Sequence, residues 1–135
     1  MRAVLDPNVL IASLLSRAEA PARVVSLWLG GAFDLVVSDG LVTELERALA
    51  YPKLRERIGA TDAAEFVTLL RQAATLAADP AAVARRSDDP DDDYLVALAE
   101  SERAILVSGD QHLLALADQL PVMTVRAFLD TLSGA

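Results

Sequence analysis

The feature that most constrains this sequence is a set of short apolar runs, each ending abruptly in polar residues and separated by stretches with helical spacing. Ala3–Leu5 stops at Asp6, Phe33–Val37 at Ser38-Asp39, and Ala104–Val107 at Ser108-Gly109-Asp110, while Pro121–Thr124 forms a fourth run. Runs this short suit strands rather than helices, and their near-continuous apolar character suits a parallel sheet covered on both faces. The intervening spacing predicts helices over Asn8–Ser16, Ala20–Leu29, Leu41–Leu49, Thr61 to about Leu76, Asp92–Glu102, His112–Ala117 and Val125–Leu132. Pro21 falls near the start of its helix and Gly30-Gly31 at its stop, while Pro52 closes the segment after Leu49. Ala82–Arg85 reads as a further short strand. Strand–helix alternation of this kind predicts an α/β fold. No repeat or linker divides residues 1–135, so a single domain is expected.

Composition removes several chemistries. There is no cysteine, which excludes disulfides, thiolate metal sites and thiol nucleophiles. One histidine, His112, excludes any site that needs two imidazoles, and alone it is expected to be a surface or supporting residue. The formal charge is −8, and eleven of the twelve basic residues are Arg, with Lys53 the exception. Net charge therefore gives no general grip on nucleic acid. No apolar run approaches the ~18 residues of a membrane span. The apolar start of the chain is broken by Asp6 and Pro7, unlike a signal peptide, so a cytoplasmic protein with no membrane partner is expected.

The acids fall in a pattern. Open parallel sheets bind ligands outside the carboxyl ends of their strands. Asp6, Glu44 and Asp110 each follow a strand, and Asp92 and Asp93 open the helix before Ala104–Val107. Asp6 and Asp110 also suit helix N-caps, and the SDDPDDD run at 87–93 suits a solvated loop favoured by a helix dipole. Asp92, however, shares a helical face with Leu95, Val96 and Ala99, and Glu44 lies at the edge of the stripe formed by Leu41, Leu45, Ala48 and Leu49. Two carboxylates 4 Å apart repel by ~4 kcal/mol at an effective dielectric of ~20, so a convergent set calls for a cation or raised pKa values. An all-oxygen set suits Mg²⁺ or Mn²⁺, and metal-assisted phosphodiester hydrolysis is the chemistry such a site supports.

Together, Asp-x-Asn after the first strand (VLDPNVL), SDGLVTE after the second, DPDDDYLVALA, and Ser-Gly-Asp after AILV resemble the PIN-domain ribonucleases, and in particular the VapC-like toxins of bacterial toxin–antitoxin pairs. The resemblance runs from Ala3 to about Phe128. It implies a three-layer α/β/α sandwich and a divalent-metal-dependent endoribonuclease with Mg²⁺ or Mn²⁺ as cofactor. It further implies an RNA substrate, a cognate antitoxin and a homodimer, the last expected through the early helices between Asn8 and Leu29. The family's acidic residues carry over onto Asp6, Glu44, Asp92 and Asp110 as catalytic metal ligands. Asp92 is favoured by its separation from Asp110, with Asp93 as the alternative. Asn8 and Ser108 carry over as small polar residues that orient the Asp6 and Asp110 carboxylates. The chain departs from the family in its scarcity of basic residues; Arg17, Arg23, Arg47, Arg85 and Arg86 are the candidates for an RNA rim.

Two other readings compete. A PIN-like module that binds RNA or a partner without cutting shares every motif. A phosphotransfer receiver-like domain also gathers acids at strand ends, but it needs a Lys after its last strand, and Lys53 is not so placed. No GxxxxGK[ST] phosphate loop occurs.

Overall fold

Ala3, Val4 and Leu5 are completely buried, and the strand that contains them is the centre about which the rest of the chain is arranged. The computed structural model describes residues 1–134. Strands β1 (Arg2–Leu5), β2 (Asp34–Ser38), β3 (Thr75–Ala77), β4 (Ile105–Val107) and β5 (Val122–Met123) form one sheet in the order β3-β2-β1-β4-β5. Every pairing is parallel, with Ala3 opposite both Leu35 and Ile105. The helices are α1 (Pro7–Leu15), α2 (Ala20–Leu29), α3 (Asp39–Leu49), α4 (Pro52–Arg55), α5 (Ala60–Ala73), α6 (Pro90–Ser101), α7 (Gln111–Leu114) and α8 (Val125–Leu132). They flank the sheet, as the expected α/β sandwich requires. α6 packs on β1 and β4, α3 on β2, and α8 on α2. Phe128 of α8 is fully buried and meets Phe33 edge-on at 4.9 Å between ring centroids, which ties the last helix to the entry of β2.

The third strand is Thr75–Ala77, not Ala82–Arg85, which has no regular structure. α5 accordingly ends at Ala73 rather than near Leu76. Ala74 turns extended and hands the chain to the sheet, where Thr75 lies opposite Val36. The apolar spacing of α5 continues through Leu76, so period alone does not separate the two. What decides is an open sheet edge beside β2 that offers backbone partners. The short helix α4, begun by Pro52, lies where only a chain stop was expected.

The topology locates a crevice. The chain moves from β1 outward through β2 to β3, then returns to the other side of β1 for β4 and β5. The strand order therefore reverses between β1 and β4, and their carboxyl ends flank the position where open α/β sheets bind ligands. No described helix is long and apolar enough to cross a membrane.

Candidate active site

Asp6 is the first residue past β1, and its N–H donates to the Val107 carbonyl (3.0 Å), which extends the β1–β4 junction beyond the strands. Its side chain caps α1 by accepting from the Asn8 N–H (3.0 Å) and accepts a second bond from the Ser108 hydroxyl (2.8 Å). Ser108 Oγ in turn accepts from the Asp110 N–H (3.0 Å), and the Asp110 carboxylate caps α7 by accepting from the His112 N–H (2.7 Å). Asp6 and Ser108 are buried. Both aspartates are therefore helix caps, and both also line the cleft at the strand ends. Ser108 touches the Asp6 carboxylate but reaches Asp110 only at its backbone N–H, so the Asp110 carboxylate is held by the His112 N–H instead. Asn8 differs from expectation: its contribution is a backbone N–H, and its side chain is exposed at the cleft.

α6 brings the third aspartate. Asp89 caps it by accepting from the Asp91 N–H (2.9 Å), and Asp92 and Asp93 are both buried in its first turn. The two face different neighbours. Asp93 Oδ1 accepts from the Arg86 N–H (2.9 Å), the Ser87 N–H (2.8 Å) and the Ser87 hydroxyl (2.9 Å). These bonds, led by that from Arg86, hold its pKa below the ordinary carboxylate value. The Asp92 pKa is instead pushed up to about 6, first by burial and then by repulsion from Asp110, Asp89 and Asp6, against a small opposing effect of His112. Asp92, not Asp93, therefore shares a field with Asp6 and Asp110.

Glu44 lines the same cleft, a cavity of about 1000 Å³ that Asp6, Asp92 and Asp110 also line. Its carboxylate pairs with Arg47 one turn along α3 (3.1 Å), with both side chains largely exposed. Asp6 and Asp110 thus both bear on Asp92, and Glu44 stands in the cleft wall with its own counter-charge. Among the described residues, no group of three His, Asp or Glu side chains is already closed into a metal-binding set. The donor chemistry nevertheless fits Mg²⁺ or Mn²⁺. The cleft offers carboxylate oxygens that repel one another, and Mg²⁺ is commonly held by only one or two carboxylates plus substrate oxygens.

One cluster was not legible in the sequence. The Tyr94 hydroxyl bonds to Ser38 Oγ and to the Asp79 carboxylate, which also accepts from the Gly40 N–H (3.0 Å). Burial, then Asp79, pushes the Tyr94 pKa up to about 12, and the Tyr94 bond lowers that of Asp79. A Cβ at Gly40 would lie 2.6 Å from Tyr94 Oη and 2.7 Å from Asp79 Oδ1, so only glycine admits this approach. The sequence signal available was the glycine in the first turn of α3, an otherwise poor choice for a helix.

Three comparisons bear on this geometry. A protein of Methanocaldococcus jannaschii, the uncharacterized MJ1680, is 23% identical over 119 residues, covering 88% of this chain and 77% of that protein. The crystal structure of PAE2754 from Pyrobaculum aerophilum superposes with a TM-score of 0.67 at 18% identity, over 100% of this chain and 91% of that one. VapBC2 from Rickettsia felis, solved bound to a DNA fragment from its promoter, matches with a TM-score of 0.64 at 12% identity, over 92% and 98% of the two chains. At these identities the structures speak for the fold. The PIN domain family model matches residues 2–112, which span every strand and helix that supplies the cleft's acids. This chain belongs to the PIN domain family.

Proposed function

We propose that the protein is a divalent-metal-dependent endoribonuclease and the toxin of a toxin–antitoxin pair. The observation that supports the reading is that Asp6, Asp92 and Asp110 line one cleft at the sheet's switch point, where burial and acidic neighbours push the Asp92 pKa up to about 6. A site arranged this way favours a bound cation over three bare charges. Asp6, Asp92 and Asp110 would hold Mg²⁺ or Mn²⁺, with Glu44 recruited from the cleft wall. Releasing Glu44 from Arg47 costs little, since exposed pairs are worth about 0–1 kcal/mol. The chemistry the ion supplies is activation of water and polarisation of a phosphoryl oxygen. The chain's own part is positioning: Ser108 and the Asn8 N–H fix the Asp6 carboxylate, and the His112 N–H fixes that of Asp110.

The antitoxin reading draws on the likeness to the Rickettsia felis assembly. A homodimer through α1 and α2 is supported by Leu27 and Leu29, which stand exposed on α2. Light scattering at high micromolar concentration should report twice the chain mass.

The test is cleavage of a panel of structured and single-stranded RNAs with Mn²⁺, Mg²⁺ or EDTA. Metal-dependent cleavage that Asp6→Asn abolishes supports the nuclease. RNA or partner binding with no cleavage under any metal favours the non-cutting module, a reading for which the Arg47-paired Glu44 speaks.

A further inference from the structure

The cleft poses an electrostatic problem that its acids do not solve: an RNA phosphate must approach a site rich in carboxylates. Most cations near it are spent. Arg47 is paired with Glu44, and Arg86 with Glu100 (3.2 Å). Arg17 and Arg23 line a separate groove beside Leu27. Arg85 differs from all of these. It lines the acidic cleft, is exposed, and makes no ion pair among the described residues, although its charge reaches Asp93 and helps to lower that carboxyl's pKa.

Its position is also built. The segment from Asp79 to Ser87 has no regular structure but is fastened at both ends. At one end Asp79 is bonded to the Gly40 N–H and to Tyr94. At the other, the N–H groups of Arg86 and Ser87 converge on Asp93. Tyr94 and Asp93 are neighbours on α6, the helix that carries Asp92, so both fasteners refer the segment to the element that supplies the site's buried acid. Between them, Val83 and Arg85 form part of the cleft wall, and Val83 leaves apolar surface exposed there.

We propose that Arg85 is the phosphate-binding residue of this site, held at the cleft by the doubly fastened 79–87 segment so that its guanidinium engages an RNA phosphate next to the one cleaved. The proposal rests on the nuclease reading for its substrate and adds the residue that overcomes the cleft's charge. Guanidinium suits the role because its planar fork meets phosphate oxygens two at a time.

The test has two readouts on wild type, Arg85→Ala, Arg85→Lys and Arg57→Ala, the last an exposed arginine outside the cleft. The first is KM and kcat for a short single-stranded RNA with Mn²⁺ at several KCl concentrations. The second is fluorescence anisotropy of the same labelled RNA in EDTA, where no cleavage chemistry is read. Arg85→Ala should raise KM about tenfold with kcat within about twofold, and flatten the salt dependence of log affinity by ~0.7, one phosphate contact on a single strand. Arg85→Lys should restore the salt slope, and Arg57→Ala should match wild type. If wild type cleaves RNA and Arg85→Ala equals it in KM and salt slope, the proposal is overturned and the nuclease stands. If wild type binds but never cleaves, and Arg85→Ala still weakens binding in EDTA, Arg85 stands and the nuclease falls. A wild type that neither binds nor cleaves overturns both.

Discussion

Asp92 and Asp93 are adjacent, equally buried and on the same helical turn, yet they sit in opposite surroundings. Asp93 looks toward the chain that precedes α6 and meets three donors. Asp92 looks toward the crevice and meets other acids. One carboxylate is a fastener whose charge is satisfied by its own protein. The other is a charge the protein leaves in need of something else. Burial alone therefore says little about the role of an acid; the polarity of what it faces decides.

The largest effect that distinguishes the two is on activity. Asp92→Asn should reduce RNA cleavage by more than the ~10²-fold seen when only supporting groups of metal sites are removed. Asp93→Asn, which keeps an oxygen acceptor for Arg86 and Ser87, should cost only a few-fold. A reversal of that order in initial rates would assign the site to the other aspartate.

The next effect is on stability, with the order reversed. Asp93→Ala orphans the N–H groups of Arg86 and Ser87 and should lower Tm by about 5 °C or more. Its lowered pKa sets the pH window. Wild type holds this contribution above the ordinary carboxylate value and loses it as pH falls through the lowered folded one, so the gap between wild type and variant should stay constant from pH 7 to about pH 5 and narrow only below about pH 4. Asp92 has the opposite sign. Its raised pKa means that wild type loses stability as pH rises from the ordinary value to about 6. In EDTA, Asp92→Asn should then be more stable than wild type at pH 7.5 by about 1 kcal/mol after allowance for solvent screening, and equal to it near pH 4. Equal Tm values at pH 7.5 would mean that the acids do not press on one another. The smallest effect is that of Tyr94→Phe, which frees one end of the 79–87 segment and should cost about 0.5–1 kcal/mol in urea denaturation.

Much of this was legible before any coordinates. The apolar runs at Ala3–Leu5 and Ala104–Val107 predict the two central strands, and acids after strands predict the crevice. Asp92 is legible by topology as well as by face: a helix that leads into a parallel strand begins at the edge where the strands end, so its first turn arrives there by construction. Its helical face did not separate it from Asp93, because both are buried, and the difference lies in the loop that Asp93 gathers. Arg47 as the counter-charge of Glu44 follows from their i, i+3 spacing, but whether Glu44 leaves that pair for the cleft does not. The place of the third strand is not legible because Thr75 and Leu76 are exposed and the strand is defined by its backbone partner in β2, which no local pattern encodes.

The hydrogen bond from Ser108 to Asp6 joins residues 102 positions apart. The crevice is therefore absent from any N-terminal fragment that stops short of β4, however well that fragment's helices form, since non-local pairings are closed only when their distant partner arrives. During synthesis the Ser108–Asp6 bond can close only once Ser108 has emerged, so the acidic centre is completed after β1, β2 and β3 have all been made.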